Sequence, residues 1–79
     1  MQIRVKLMGS LRSKLPPEAK GTALLDLEPG AIVAAALEKL GISGGQVHLV
    51  MVNGSMEPDR QRPLTDGDEL TVFPPVAGG

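Results

Sequence analysis

The 79 residues carry 8 Lys and Arg against 9 Asp and Glu, for a net charge of −1, and 42% of them are hydrophobic, as expected of one small globular domain whose bulk charge does not imply a polyanion-binding surface. Zero cysteines exclude a disulfide framework, a cysteine-ligated zinc site and a thiol nucleophile, and a single aromatic residue, Phe73, excludes a nucleic-acid surface of stacked rings. The longest strictly apolar run, Ala31–Leu37, is too short to cross a bilayer, and Arg4, Lys6, Arg12 and Lys14 interrupt the segment where an apolar leader would stand, so a cytoplasmic protein is expected.

Gln2–Met8 alternates, with Ile3, Val5 and Leu7 on one face and Gln2, Arg4, Lys6 and Met8 on the other; that period predicts a half-buried strand. Gly9-Ser10 ends it, and Pro16-Pro17 and Gly21 mark loop. Thr22–Leu27 is a second strand, with Ala23, Leu25 and Leu27 on one face and Leu24 harder to place. After the turn at Glu28-Pro29-Gly30 the period changes: Val33, Ala36, Leu37 and Leu40 form one face of a helix. Gly41 stands where a left-handed cap is expected. Ala31 and Ile32 offer no side-chain oxygen at the start, an omission worth about 1 kcal/mol relative to Ser or Thr.

Ser43-Gly44-Gly45 reads as loop, and Val47–Val52 as a strand covered on both faces, because its apolar residues do not alternate cleanly. Asn53-Gly54 is a strong hairpin signal, with Ser55–Glu57 as the return strand before Pro58. Asp59–Pro63 is polar loop, and Thr65-Asp66-Gly67-Asp68 turns the chain into Glu69–Phe73, a strand with Leu70 and Val72 inward. The order is β-β-α-β-β-β. One helix across one mixed sheet buries every apolar face.

Little in this pattern supports catalysis. His48 is the only histidine and, inside an apolar strand, reads as structural, since one imidazole makes neither a metal site nor a triad. Asp66-Gly67-Asp68-Glu69 lacks the ligand spacing of a calcium loop and reads as a solvated turn. Gly41-x-x-Gly44-Gly45 follows a helix and has no Lys-Ser/Thr after it, so it does not make a phosphate loop. The informative segment is Phe73-Pro74-Pro75-Val76-Ala77-Gly78-Gly79. Two prolines remove two backbone donors and stiffen the chain as it leaves the sheet. Side chains then taper to nothing, a shape that threads a narrow tunnel and lets another backbone close around it. A terminal carboxylate, with a pKa of about 3.3–3.7, is an anion at neutral pH, so chemistry at its carbonyl requires prior activation as an acyl-adenylate.

These residues resemble the ubiquitin-like β-grasp sulfur carriers, above all the small subunit of molybdopterin synthase (the MoaD/ThiS-like group). The resemblance spans the whole length and rests on Leu11-Arg12, Gly30, Val52-Asn53-Gly54, Pro63–Glu69 and Phe73–Gly79. Thiamine-pathway carriers share the Gly-Gly ending but commonly lack the double proline, and Ile32 departs from the Thr cap often found in the family. The resemblance implies an α+β fold, one helix on a mixed four- to five-stranded sheet, with a β-grasp domain over 1–74 and a flexible tail over 75–79. It implies a carrier, not an enzyme. Gly79 would be adenylated by a ubiquitin-activating-like enzyme using ATP and magnesium, no cofactor or metal being stably held by the carrier itself. A sulfur donor protein would convert the adenylate to a thiocarboxylate, and the tail (Pro75, Val76, Ala77, Gly78) would enter the large synthase subunit to deliver sulfur to a pterin. Nucleic acid and membrane are not expected partners.

Strand register adds a docking surface. Met8, Phe73 and Met56 fall on outward positions near the tail, matching apolar interface positions of the family, with Arg12 beside them; flexible methionines suit a patch that meets several partners. Arg4, Lys6, Arg12 and Lys14 either steer an acidic partner or form a solvated face. Alternatives stay open: a carrier for thiamine, cysteine or tRNA thiolation, a ubiquitin-like modifier joined through Gly79 to lysines, or a passive β-grasp module.

Overall fold

The computed structural model describes residues 1–75. Five strands form one mixed sheet in the order β2-β1-β5-β3-β4, with β1 at Gln2–Leu7, β2 at Thr22–Asp26, β3 at Leu49–Val52, β4 at Ser55–Met56 and β5 at Glu69–Phe73. One helix, α1 at Val33–Lys39, packs across it. The expected β-β-α-β-β-β order and the ubiquitin-like β-grasp fold are both present. β5 lies at the centre, parallel to β1 and antiparallel to β3.

The alternating strands behave as their period dictates. Ile3, Val5 and Leu7 of β1, and Leu70 and Val72 of β5, are buried against Val33, Ala36 and Leu37 of α1. Full burial of one such side chain is worth about 1.5–3 kcal/mol, which is why a helix of seven residues, too short to persist alone, holds its place. In β2, Leu24 points to solvent and Ala23 and Leu25 are half-buried, which settles the residue that sequence pattern left hard to place.

Three expectations are corrected. β3 is not covered on both faces: Val50 and Val52 are buried, while Leu49 and Met51 are only half-buried and lie on the opposite face. His48 is not within a strand interior; it precedes β3 and is exposed. The segment between β1 and β2 is not plain loop but carries two 3-10 helices, Gly9–Lys14 and Pro17–Ala19, the first burying Leu11.

The helix start is also repaired in a way that local sequence does not reveal. Ile32 makes no side-chain cap, yet the N–H of Val33 donates to the Arg62 carbonyl at 3.0 Å and that of Ala34 to the Arg60 carbonyl at 2.9 Å. The polar loop before Leu64 thus supplies the acceptors that a Ser or Thr would have offered. At the other end, Gly41 has φ +76. Its N–H donates to the Glu38 carbonyl and that of Ile42 to the Leu37 carbonyl, both at 3.0 Å, the paired bonds of a Schellman cap with Ile42 and Leu37 in apolar contact range within the core.

Candidate functional site

Everything that distinguishes this molecule gathers at the C-terminal end of β5. The Val72 carbonyl accepts from Met8 N–H at 3.0 Å, and the Phe73 carbonyl accepts from His48 N–H at 2.8 Å. The strand is therefore tied on both sides up to its last residue. Pro74 follows with no N–H to donate, so pairing stops there. The Pro74 ring lies over Gly9, where a β-carbon would come within 3.0 Å of Pro74 Cγ. Gly9 also holds φ +54, so a side chain there is opposed by both backbone and neighbour. Pro75 is exposed. The positions expected to be activated or gripped, Gly79, Gly78, Ala77 and Val76, lie outside the described residues.

The sheet face away from α1 surrounds this exit. Leu49 pairs with Phe73, and extending the β1–β5 register by one residue from Leu7–Val72 places Met8 on the other side of Phe73. A second row runs Lys6, Thr71, Met51, Met56 across four strands. Met56 is 70% exposed. A shallow cavity of about 360 Å³ opens at this margin, lined by His48, Leu49, Met56, Glu57, Pro58 and Arg60. Towards β2 the face becomes basic, with Arg4 and Lys6 exposed.

Met8 and Phe73 are thus brought together as expected, and Met56 joins them through Met51. Leu49 and Met51 are the residues that sequence reading missed; their alternation with Val50 and Val52 was the available signal, hidden because every residue of the run is apolar. Arg12 lies at the same end of the sheet, its Nε 3.1 Å from where a β-carbon on Gly21 would be. Lys14 departs from expectation: its Nζ donates to the Gly41 carbonyl at 3.1 Å, which takes it to the helix side and out of the basic patch.

The acidic turn is solvated at Asp66 and Gly67, as expected, but not at its third residue. Asp68 is buried, and its carboxylate accepts from Thr65 N–H at 2.8 Å, Thr65 Oγ1 at 3.0 Å and Asn53 Nδ2 at 2.9 Å. The Thr65 backbone bond, then the Asn53 amide, hold its pKa below the ordinary carboxylate range. Asn53 Oδ1 in turn accepts from Glu69 N–H at 2.9 Å. This network fixes the start of β5 against the β3–β4 hairpin, whose Asn53-Gly54 turn has φ +52 and +84 as expected. Among the described residues no cluster of His, Cys, Asp or Glu could hold a metal ion.

One helix across a mixed sheet with its last strand at the centre, and an apolar open face beside that strand, define the ubiquitin-like β-grasp class. Residues 5–79 match the ThiS family model, and the chain belongs to the ThiS family. Among solved structures it is similar to SAMP1 of Haloferax volcanii, at 26% identity and TM-score 0.75 over 100% of both chains. It is also similar to a putative molybdopterin converting factor subunit 1 of Pyrococcus furiosus, at 24% identity and TM-score 0.73 over 96% of this chain and 99% of that one. A complex of subunits 1 and 2 of the molybdopterin-converting factor from Helicobacter pylori contains a third similar fold, at 21% identity and TM-score 0.60 over 100% of both chains. No curated protein matches the chain by sequence.

Proposed function

We propose that the protein is a sulfur carrier whose Gly79 carboxyl group is converted to a thiocarboxylate for molybdopterin synthesis, with residues 1–74 as the docking body and 75–79 as the reactive arm. The observation that carries this reading is that the family match runs through Gly79 while Pro74 and Pro75 leave the sheet beside the apolar row of Met8, Phe73 and Leu49.

A carboxylate resists nucleophiles because it is already an anion. Transfer of AMP from ATP, with magnesium on the phosphates, replaces the poor oxide leaving group by AMP. Pyrophosphate leaves in that step; attack by hydrosulfide-level sulfur released from a donor protein then forms the C–S bond as the C–O bond to AMP breaks, so that AMP departs and the thiocarboxylate remains. The carrier supplies the carbonyl carbon and the surface by which an activating enzyme and a large synthase subunit hold it; catalysis belongs to those partners. The Helicobacter pylori complex of subunits 1 and 2 supports a large-subunit partner. The double proline favours the pterin pathway over thiamine, cysteine or tRNA thiolation, whose carrier chemistry up to the thiocarboxylate is the same. The proposed activation consumes ATP, which supports a cytoplasmic location for the carrier.

A second reading, a ubiquitin-like modifier joined through Gly79 to lysines, is favoured by the likeness to SAMP1, a small archaeal modifier protein. Intact mass of protein isolated from its host separates the two. A species heavier by the sulfur–oxygen difference, localised to the last peptide, is expected for the carrier; lysine conjugates alone would replace it with the modifier.

A further inference from the structure

Positive φ does not by itself demand glycine in this chain. Lys20 holds φ +54 and Asn53 φ +52, beside the +54 of Gly9. What sets Gly9 apart is the Pro74 ring, whose Cγ lies 3.0 Å and Cδ 3.6 Å from where a β-carbon on Gly9 would stand. Among the described glycines only Gly21 is confined in a similar way, by Leu7 and Arg12; the others face open space.

The Pro74 ring and the Phe73 carbonyl belong to one trans peptide unit, a rigid plane on whose opposite edges they stand. Towards β3 the carbonyl accepts from His48 N–H at 2.8 Å, and towards β1 the ring lies on Gly9. Gly9 is the firmer side. Met8 N–H just before it donates to the Val72 carbonyl at 3.0 Å, and Leu11, two residues on, is buried and donates to the Met8 carbonyl at 3.1 Å. Pro74 is only half-buried and Pro75 is exposed. Each proline fixes its own φ and confines the residue before it to extended backbone. From Phe73 to Pro75, the tilt of this one plane is therefore the main freedom left.

We propose that Gly9 is a positioning residue: the space left by its absent β-carbon seats the Pro74 ring, and with His48 on the opposite edge of the plane it sets the course on which the chain leaves the body at Pro75. Where delivery of Gly79 to an activating enzyme is concerned, this rests on the carrier reading. A reacting group misplaced by about 1 Å loses up to about a hundredfold in rate, so a body held by its open face gains from an arm whose direction is already set. A β-carbon on Gly9 would push the ring towards β3 and tilt the plane. The His48 bond would weaken, while the residues of the open face stay where they are.

Gly9→Asn tests this, since asparagine tolerates the left-handed backbone and adds the β-carbon. In this variant His48 N–H should exchange with deuterium about threefold faster than in the parent or more, while Asn53 N–H, bonded to the Glu69 carbonyl at the far end of β5, keeps its rate. In a Pro74→Ala background the same substitution should leave His48 exchange unchanged, because the ring it meets is gone. With the activating enzyme, Gly9→Asn should lower kcat for ATP–pyrophosphate exchange by about tenfold and leave the KM for the carrier as it was. Pro74→Ala, which leaves Gly9 untouched, should lower kcat too by emptying the seat. Parental His48 exchange in Gly9→Asn, or equal acceleration with and without the ring, would overturn the seat. A raised KM at parental kcat would make Gly9 a docking contact instead. If the parent supports no exchange of pyrophosphate at all, the carrier reading fails, and the His48 rates alone decide for or against the seat.

Discussion

Asn53 and Glu69 are joined through one amide: Asn53 Oδ1 accepts from Glu69 N–H at 2.9 Å while Asn53 Nδ2 donates to Asp68 Oδ1, also at 2.9 Å. One side chain thereby satisfies two consecutive residues at the entry to β5 and holds the β3–β4 turn against them. Because Asp68 receives three donors, its charge state governs the joint.

Stability should therefore fall on the acid side. The folded pKa of Asp68 is lowered, so the unfolded chain binds the proton more readily. The contribution is fully present above the unfolded value of about 3.9 and is lost as pH drops through the folded one. Asp68→Asn should cost about 1–3 kcal/mol at neutral pH, because its amide would confront donors where the carboxylate accepts. Urea unfolding across pH checks both points, and the variant should show a flatter acid limb than the parent.

Gly21→Ala should destabilise more than Gly41→Ala. Both glycines have positive φ, +79 and +76, a conformation that costs a residue with a β-carbon about 1–2 kcal/mol. At Gly41 the space is open, whereas at Gly21 the new β-carbon would lie 2.9 Å from the Leu7 carbonyl oxygen. Thermal melting of the two variants side by side gives the order directly.

Much of this molecule is legible in its sequence. Ile3, Val5 and Leu7 announce β1, Asn53-Gly54 announces the hairpin, and Gly41 announces the end of α1, because each is a local pattern with a local cause. What escapes is non-local. Nothing near Ile32 tells that carbonyls of Arg60 and Arg62 cap the helix. The apolar uniformity of Val47–Val52 hides that Leu49 and Met51 belong to the open face. Asp68 looks like one more acid in a polar turn until the fold carries Asn53 to it.

Met56→Ala should weaken binding to the proposed activating enzyme by about tenfold, the loss expected for truncating an apolar anchor. Its melting temperature should stay close to that of the parent, since Met56 is already largely exposed. Phe73→Ala and Met8→Ala should weaken binding as well, with some loss of stability, because both are half-buried. Titration calorimetry beside thermal melting separates the two effects. Unchanged affinity in all three would remove the open face from the docking site.

Gly78→Val should abolish ATP–pyrophosphate exchange by the activating enzyme without altering urea unfolding. A β-branched side chain beside the reacting residue restricts φ and adds bulk to a segment shaped to be enclosed, whereas the last strand of the sheet ends at Phe73. Exchange at the parental rate would mean that the tail is not gripped.

The central position of β5 has a kinetic consequence. Remove it from the order β2-β1-β5-β3-β4 and the sheet falls into two separate hairpins, β2-β1 and β3-β4, neither of which is stable alone in water. A chain emerging from the ribosome therefore cannot complete its sheet until residues 69–73 are free to insert between them. Pairing the first strand with the last is a long-range closure that slows folding relative to a helical bundle of this size. The strand that leads into the proposed arm is also the one that completes the sheet, so a chain interrupted before β5 would lack both that segment and a folded sheet.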